Sequence, residues 1–276
     1  MSLDTKNLAR VTGASAAVVT ALQAGTAVLA LRAGRRDYAD GVWGPGLAAV
    51  AVTSAVVGRG NPVRRWALAG VTTAWAVRLE RLMADRLAST DEEDERYTEF
   101  LEGDSTPVVL AKVFGTQALA QLAVSAPLQV AAASELPRGA RKWLFPAGLA
   151  VMVAGGIVEA VADRQKAAFM ARKKQAKQDG PDDDVPEELE ILDSGLWGWS
   201  RHPNYFGDSV VWDGAFIAAA ASPPAAWTFP APIAMSYFLI FATGAKRTEK
   251  RMQERPGYRD YQRRVAFFLP RPPRKG

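Results

Sequence analysis

The sequence predicts an all-α, polytopic membrane protein with about seven transmembrane helices in one bundle. Hydrophobic residues make up 49% of the 276 residues and charged residues 23%, a composition that would also suit a soluble protein. The charges, however, lie in blocks that separate long uncharged runs. Because about 20 apolar residues cross a bilayer as a helix, this patterning indicates a single membrane domain over 1–276.

The predicted spans follow the uncharged runs in order. Val11–Leu31 has no charged residue over 21 positions, close to the length of one span. The run 214–245 is too long for one helix and has four prolines in its middle, so it predicts two helices joined by a turn. The remaining predicted spans lie within 41–58, 66–77, 113–134 and 143–158. A soluble bundle is the alternative, but its helices would carry charged faces within most of these runs.

The distribution of basic residues predicts the orientation. Residues 163–201 carry seven Lys or Arg and residues 246–275 carry eleven, whereas the connection at 222–232 has none. By the positive-inside rule, the long loop and the C-terminal tail, 246–276, are cytoplasmic, and seven spans place the N-terminus outside. Within the loop, the acidic stretch 178–193 predicts a mobile cytoplasmic linker, with a lid over a cofactor site as the alternative.

Composition excludes several kinds of chemistry. Cysteine is absent and His202 is the only histidine, which rules out disulfides, cysteine nucleophiles and metal centres built from these residues. We therefore predict no metal site. The formal net charge of +5 favours an anionic partner. Because membrane topology accounts for the basic residues and no base-stacking module is visible, we expect membrane lipid and no nucleic acid.

The segment 194–214, SGLWGWSRHPNYFGDSVVWDG, is the first candidate site. Pro203 fits the first turn of a helix, with Arg201 and His202 at its N-terminal end. Asn204 and Asp208 are four apart and share a face, and we expect Asp213 near that face. Carboxylates entering a membrane helix are costly unless they face a polar cavity. Alternatively, Asp208 caps the helix or pairs with Arg201, and the tryptophans anchor the membrane interface.

Two further groups add charged residues to the same cytoplasmic side. Glu159 and Asp163, again four apart, suit hydroxyl and amine groups, while Lys166, Arg172 and Arg201 suit phosphates, which together indicate a nucleotide cofactor. The alternative is a helix end with solvated charges. In the tail, the charged residues and tyrosines either fold back under the bundle or form a basic surface helix on anionic lipid. No glycine-rich phosphate loop follows a strand.

These residues match a known pattern. GLWGWSRHPNYFGD, with a later Glu, Tyr258, Tyr261 and LP, resembles the C-terminal signature of the steroid 5-alpha-reductase and Delta-14 sterol reductase superfamily. Asp40 with Trp43-Gly44, WAVRL with Arg78, EDERY ending at Tyr97, and the Asp163, Gln165, Lys166 cluster resemble its bacterial branch. The resemblance covers about 40–270. Isoprenylcysteine carboxyl methyltransferases share a similar RHP-x-Y block but use S-adenosylmethionine.

The resemblance implies a seven-helix enzyme of the bacterial inner membrane that binds NADPH in a cytoplasm-facing cavity. It would reduce a carbon-carbon double bond conjugated to a carbonyl in a steroid-, prenoid- or lipid-like substrate. Steroid reductases use a Glu and Tyr pair around the ketone, but Trp75 stands roughly where that tyrosine is expected, so the substrate class stays open. The implied cofactor-binding residues are Glu159, Asp163, Lys166, Trp197, Arg201, His202, Asn204, Tyr205, Asp208, Glu249, Arg251, Tyr258 and Tyr261.

Asp40 and Tyr38 are the candidate catalytic acids, because they stand where the second span begins, within reach of a cytoplasmic cavity. Two other functions remain open. One is an S-adenosylmethionine-dependent methyltransferase on the same scaffold, and the other is a non-catalytic lipid-binding membrane protein. The three functions differ in which ligand stabilises the protein: NADPH for the reductase, S-adenosylmethionine for the methyltransferase and neither for the lipid-binding protein.

Overall fold

The chain is mostly helical over the residues that a computed structural model describes, which are 3–179, 186, 189–242 and 244–274. Within them, pairing between extended backbone segments is limited to one bridge, between Ser200 and Ala266. The all-α prediction is therefore confirmed. Half of the predicted mobile linker, 180–185 with 187 and 188, lies outside the described residues.

The described α-helices and their connections follow the chain in simple order. The helices are α1 (Thr5–Ala33), α2 (Trp43–Val57), α3 (Pro62–Ala88), α4 (Glu95–Phe100), α5 (Thr106–Val109), α6 (Thr116–Val124), α7 (Ala126–Ala132), α8 (Leu144–Asp179), α9 (Pro203–Ala219), α10 (Pro230–Tyr237), α11 (Ala245–Met252) and α12 (Tyr258–Arg264). Short 3₁₀ turns occupy Arg36–Val42, Ala140–Trp143, Gly195–Gly198 and Pro223–Thr228. Wider π-helical turns at Leu110–Gly115 and Phe238–Ala242 join or extend neighbouring helices.

Five stretches of the described chain are long and apolar enough to span a membrane, by length and composition. They are Thr5–Ala33, Arg36–Val57, Thr106–Val124, Ala140–Gln178 and Pro223–Met252. The other two predicted spans also fold as helices, but α3 has charges on both sides of its 12-residue uncharged stretch, 66–77, and α9 has only 17 residues and contains two aspartates. A membrane-type helical protein is therefore supported, while the count of seven stays a prediction.

Local signals determine where helices begin and end. The Asp4 side chain caps α1 by accepting from the Asn7 amide at 2.9 Å, and Asn61 caps α3 by accepting from the Arg64 amide at 3.0 Å. α9 begins at Pro203, as predicted. The predicted break in the run 214–245 is also confirmed, because a proline-rich turn separates α9 from α10.

The described chain forms two compact units, which we describe separately. The first comprises Met1–Ala150 with Gly214–Pro232, and the second Val151–Asp213 with Ile233–Gly276. In the first unit, buried amide side chains link helices distant in sequence. Gln23 donates to Gln121 at 3.0 Å, and Gln121 donates to the Val42 carbonyl at 2.8 Å. Such bonds hold helices together where hydrophobic burial provides no drive.

Arg64 is completely buried in the first unit. Its guanidinium donates to Ser222 Oγ at 2.7 Å and to the Ala131 and Ser134 carbonyl oxygens at 2.8 and 2.6 Å. The turn before α3 packs just as tightly, because a Cβ on Gly60 would meet the Ser134 carbonyl oxygen at 2.3 Å. The hydrogen bonds of the Arg64 guanidinium and the close backbone contact at Gly60 therefore fix the start of α3 to the end of α7.

We expect Gly60→Ala to lower the melting temperature of the purified protein in detergent. The added methyl group meets backbone that cannot give way, and such overpacking typically costs about 1–3 kcal/mol. Gly70→Ala is the matched control, since nothing lies within 4 Å of a Cβ there. It should leave the melting temperature unchanged or slightly raised, because Ala favours a helix over Gly. Equal effects at the two positions would contradict the close packing at Gly60.

Candidate functional site

In the second unit, glycines bring α8 and α9 into backbone contact. A Cβ on Gly207 would lie 2.6 Å from the Glu159 amide nitrogen, and one on Gly155 would lie 2.7 Å from the Gly207 carbonyl oxygen. Small residues permit this approach between membrane-type helices. The contact aligns the turn that carries Glu159 with the first turns of α9.

Polar side chains cluster where these two helices meet. Glu159 and Asp208 are buried, with 4% and 5% of their surfaces exposed. Asn204 Nδ2 donates to Asp163 Oδ1 at 3.1 Å, and both residues are half-buried. Asp213 is exposed, so the expectation that it shares the Asp208 face is wrong. Five positions leave two side chains about 140° apart around a helix.

The turn before α9 is held against α8 by two hydrogen bonds. Trp197 Nε1 donates to the Ala162 carbonyl at 3.0 Å, and the Leu196 amide donates to Gln165 Oε1 at 3.0 Å. Gly195 has φ +61° and leaves room for the Gln165 amide. The exposed Lys166 places its ammonium 6.0 Å from the Trp197 ring centre. Trp197 and Lys166 therefore lie at the edge of the cluster.

The RHPNY segment is joined to the C-terminal residues by backbone and hydroxyl contacts. Ser200 Oγ accepts from the His202 amide at 3.1 Å and donates to the Phe268 carbonyl at 2.8 Å. The Arg201 amide donates to the Ala266 carbonyl at 2.9 Å. The tail thus folds back on the turn that starts α9, one of the two arrangements the sequence left open.

Glu249 is the centre of a buried hydrogen-bond network, the Glu249 cluster. Arg201 donates to both of its oxygens, at 2.8 and 3.1 Å, and His202 Nε2 lies 3.0 Å from Oε1. The Tyr258 hydroxyl donates at 2.9 Å and the Gln262 amide at 2.5 Å. Four side chains from two parts of the sequence, 201–202 and 258–262, therefore meet at one carboxylate.

Two tyrosines extend this cluster as neutral donors. Burial, followed by the adjacent Glu249 carboxylate, raises the pKa of Tyr258 above its ordinary value. Burial likewise raises the pKa of Tyr261, whose hydroxyl donates to the Trp197 carbonyl at 2.7 Å. Because both phenols keep their protons at physiological pH, they fix the tail through hydrogen bonds.

Two remaining predicted cofactor residues have different surroundings. Tyr205 stacks on the His202 ring at 5.9 Å between centroids, and a Cβ on Gly244 would lie 2.8 Å from the Tyr205 ring. Arg251 is exposed on α11, away from the buried face that carries Glu249. The structure thus brings most of the predicted site residues into one unit, with Arg251 and Lys166 at its surface.

We expect Glu249→Gln to loosen the tail without unfolding the protein. The neutral amide leaves the Arg201 charge uncompensated, and removing one partner of a buried ion pair costs about 3–5 kcal/mol. The rate of tryptic cleavage within 246–264 should therefore rise about tenfold or more, because cleavage follows the population of opened tail. The exposed Glu254→Gln is the control. Wild-type cleavage kinetics in Glu249→Gln would contradict a holding role for this carboxylate.

Asp40, one of the two candidate acids of the first unit, lies in a second polar cluster, the Asp40 cluster. Asp40 Oδ1 accepts from the Tyr97 hydroxyl at 2.7 Å, and Oδ2 accepts from Arg96 at 2.9 Å and from Arg86 at 3.4 Å. The Tyr38 ring lies under the Arg35 guanidinium, 5.3 Å from its carbon, and packs on an apolar cluster. Asp40 and Tyr38 therefore stand in different surroundings.

Tyr97 is a functional candidate that sequence reasoning did not select. It ends the EDERY motif, but 57 residues separate it from Asp40, so no local spacing relates the two. Burial, followed by the Asp40 charge, raises the pKa of Tyr97 above its ordinary value. The cluster therefore contains a neutral phenol oriented by a carboxylate that two guanidinium groups also hold.

Two neighbouring carboxylates predict an acid-sensitive segment. Burial alone would raise the pKa values of Glu93 and Asp94, but hydrogen bonds from Arg36 and Arg96 outweigh it and lower both. Their stabilising contribution is therefore present above the unfolded-chain pKa of about 4 and is lost as the pH falls further. We expect Glu93→Gln with Asp94→Asn to lower the melting temperature most at neutral pH and by a smaller amount near about pH 3, where the unfolded chain is already partly protonated. An equal loss at both pH values would contradict this assignment.

The fold defines an all-helical protein with several membrane-type helices. Over residues 27–265 the chain matches the family described as protein of unknown function, DUF1295, and it belongs to that family. It is also similar to uncharacterized protein C594.04c of Schizosaccharomyces pombe, with 35% identity over 81 residues. That match covers 28% of this chain and 23% of the yeast protein. No solved structure matches the chain.

Proposed function

We propose that the protein is an integral-membrane, NADPH-dependent reductase of a carbon-carbon double bond conjugated to a carbonyl in a lipophilic substrate. The observation that carries this proposal is the burial of Glu159 and Asp208 beside the Asp163–Asn204 pair, where α8 and α9 are in backbone contact. Ionisable groups at such positions in membrane-type helices are costly and mark functional sites by default.

The donor set fits a nicotinamide nucleotide. Asp163, Asn204 and Asp208 would hold ribose hydroxyl and carboxamide groups, and the exposed Lys166 and Arg251 would hold phosphates. The Glu249 cluster would act on the cofactor indirectly, by fixing the tail and the start of α9. When bound, NADPH supplies the hydride that reduces the β carbon of the substrate.

The Asp40 cluster supports the acid half of the proposed reaction. As the β carbon is reduced, negative charge develops on the carbonyl oxygen, and a neutral hydroxyl group stabilises that charge or donates a proton. Asp40 and Tyr38 are the candidates from sequence, and the geometry adds Tyr97. Arg96 and Arg86 already bond to Asp40. We therefore propose that the Asp40 carboxylate orients the Tyr97 phenol and that this phenol donates the proton.

We infer the bacterial inner membrane as the location, with the C-terminus in the cytoplasm. The support is the excess of Lys and Arg in 163–201 and in the tail, together with their absence from 222–232. NADPH, a soluble coenzyme, would then reach the α8–α9 cluster from the cytoplasmic side, and the lipophilic substrate would arrive from the bilayer.

We expect NADPH to raise the melting temperature of the detergent-purified protein. Ligand at about 100 times its dissociation constant adds about 2.7 kcal/mol of stability. Asn204→Ala with Asp208→Ala should abolish this shift, because the pair supplies contacts to the cofactor. Asp213→Asn, an exposed change on the same helix, is the control and should keep the shift.

Other outcomes of the same measurement would contradict the proposal. Stabilisation by S-adenosylmethionine instead of NADPH would assign methyl transfer to the scaffold. An unchanged melting temperature with NADPH, NADH and S-adenosylmethionine would favour a non-catalytic lipid-binding protein. If NADPH raises the melting temperature of the double variant as much as that of the wild type, the cofactor binds away from α9.

A further inference from the structure

The outer surface of the tail contains a cleft that the proposed reaction does not use. It has a volume of about 400 Å³ and is lined by Gln253, Arg259, Gln262 and Arg263. Arg259 and Arg263 are four positions apart on α12, so they share one face of that helix. Arg263 pairs with Asp260, whereas Arg259 has no ion pair within the part of the chain that the structure describes. The lining therefore offers guanidinium and amide donors with little opposing charge.

One side of this cleft is held in place by a hydrogen bond to the buried Glu249. The Gln262 amide donates to Glu249 Oε2 at 2.5 Å, so the residue that faces the cleft is also part of the Glu249 cluster. Tyr258 and Tyr261 are buried on the opposite side of α12. The donors consequently project from a short helix whose other face is anchored, which reduces the entropy that a bound anion would have to offset.

The approach to the tail has the features of a membrane–water boundary. The run 214–245 is uncharged, and Lys246 is the first charged residue after it. Its ammonium lies 4.3 Å from the Phe241 ring centre, and Phe241 stacks on Tyr237 at 5.3 Å. Both aromatic rings are exposed. Exposed aromatic residues followed by basic ones are typical of the headgroup level of a bilayer, and the cleft comes soon after them in the chain.

The charge around the cleft selects an anion. Exposed or partly exposed basic residues dominate the described tail. Its exposed acidic residues are Glu254 and Asp260, while Glu249 is buried and bonded to Arg201. The basic residues are Lys246, Arg247, Lys250, Arg251, Arg255, Arg259, Arg263, Arg264, Arg271 and Arg274. Guanidinium groups bind phosphate oxygens in a bidentate manner. We propose that the cleft binds the headgroup phosphate of an anionic phospholipid.

The proposed lipid site does not rest on the proposed reductase activity. It lies on the tail, and none of its four lining residues belongs to the α8–α9 cluster. Lipid binding would persist in a protein that binds no nucleotide. Conversely, loss of the lipid site would leave the NADPH shift of the detergent-purified protein in place.

The test uses the full chain reconstituted into nanodiscs of phosphatidylcholine with a minor fraction of phosphatidylglycerol. After extraction in mild detergent, the phospholipids that remain bound are quantified. We expect wild-type protein to retain phosphatidylglycerol in preference to phosphatidylcholine, and Arg259→Gln with Arg263→Gln to reduce that preference about tenfold. Arg271→Gln with Arg274→Gln, the same change in charge elsewhere on the tail, should have a much smaller effect.

Three results would overturn the proposal. The first is wild-type protein without a preference for phosphatidylglycerol, and the second is an equal loss in both double variants, which would indicate diffuse attraction only. The third is stabilisation of the detergent-purified protein by inorganic phosphate at matched ionic strength, with no gain from phosphatidylglycerol, which would assign a soluble phosphate. If the Gln variant is poorly folded, Arg259→Lys with Arg263→Lys keeps the charge, and it should show an intermediate preference.

Discussion

The second unit depends on the hydrogen bonds and the ion pair that are made by one buried carboxylate, that of Glu249. A carboxylate removed from water is tolerable only when charged and polar partners satisfy its oxygens. Here Arg201 supplies the charge, and His202, Tyr258 and Gln262 complete the coordination. Because these partners come from the start of α9 and from the tail, satisfying one carboxylate fixes two helices and a turn at once.

Neutral and ionic groups have different roles in these helices. The first unit is tied together by amides, with Gln23, Gln121 and the Val42 carbonyl in one chain of bonds. Neutral groups of this kind stabilise packing at little desolvation penalty. The second unit instead buries Glu159 and Asp208, whose charged forms are far more expensive to desolvate. The first unit buries charge as well, at Arg64, whose guanidinium joins the start of α3 to the end of α7. We therefore propose function for the α8–α9 contact because its carboxylates lie beside the Asp163–Asn204 pair, and a structural role for Arg64 and the amide chain.

Sequence patterning predicted the features that depend on neighbouring residues. The uncharged runs, the start of α9 at Pro203 and the proline-rich break all follow from a few consecutive positions. The Arg201–Glu249 and Asp40–Tyr97 contacts could not be predicted in this way, since 48 and 57 residues separate the partners. The resemblance grouped Arg201 with Glu249, but it did not reveal that they bond to each other.

The sequence left two interpretations of the tail open, one with the tail folded back and one with a basic helix on anionic lipid. They concern opposite faces of the same short helices. One face of α11 and α12 is buried, and through Glu249 and Tyr258 it folds back on the start of α9. The other face exposes basic side chains such as Lys250 and Arg259. The buried face is thus satisfied internally, which leaves the charged face for the anionic headgroup that we propose it binds. Gln262 connects the two faces, because it lines the surface cleft and also donates to Glu249.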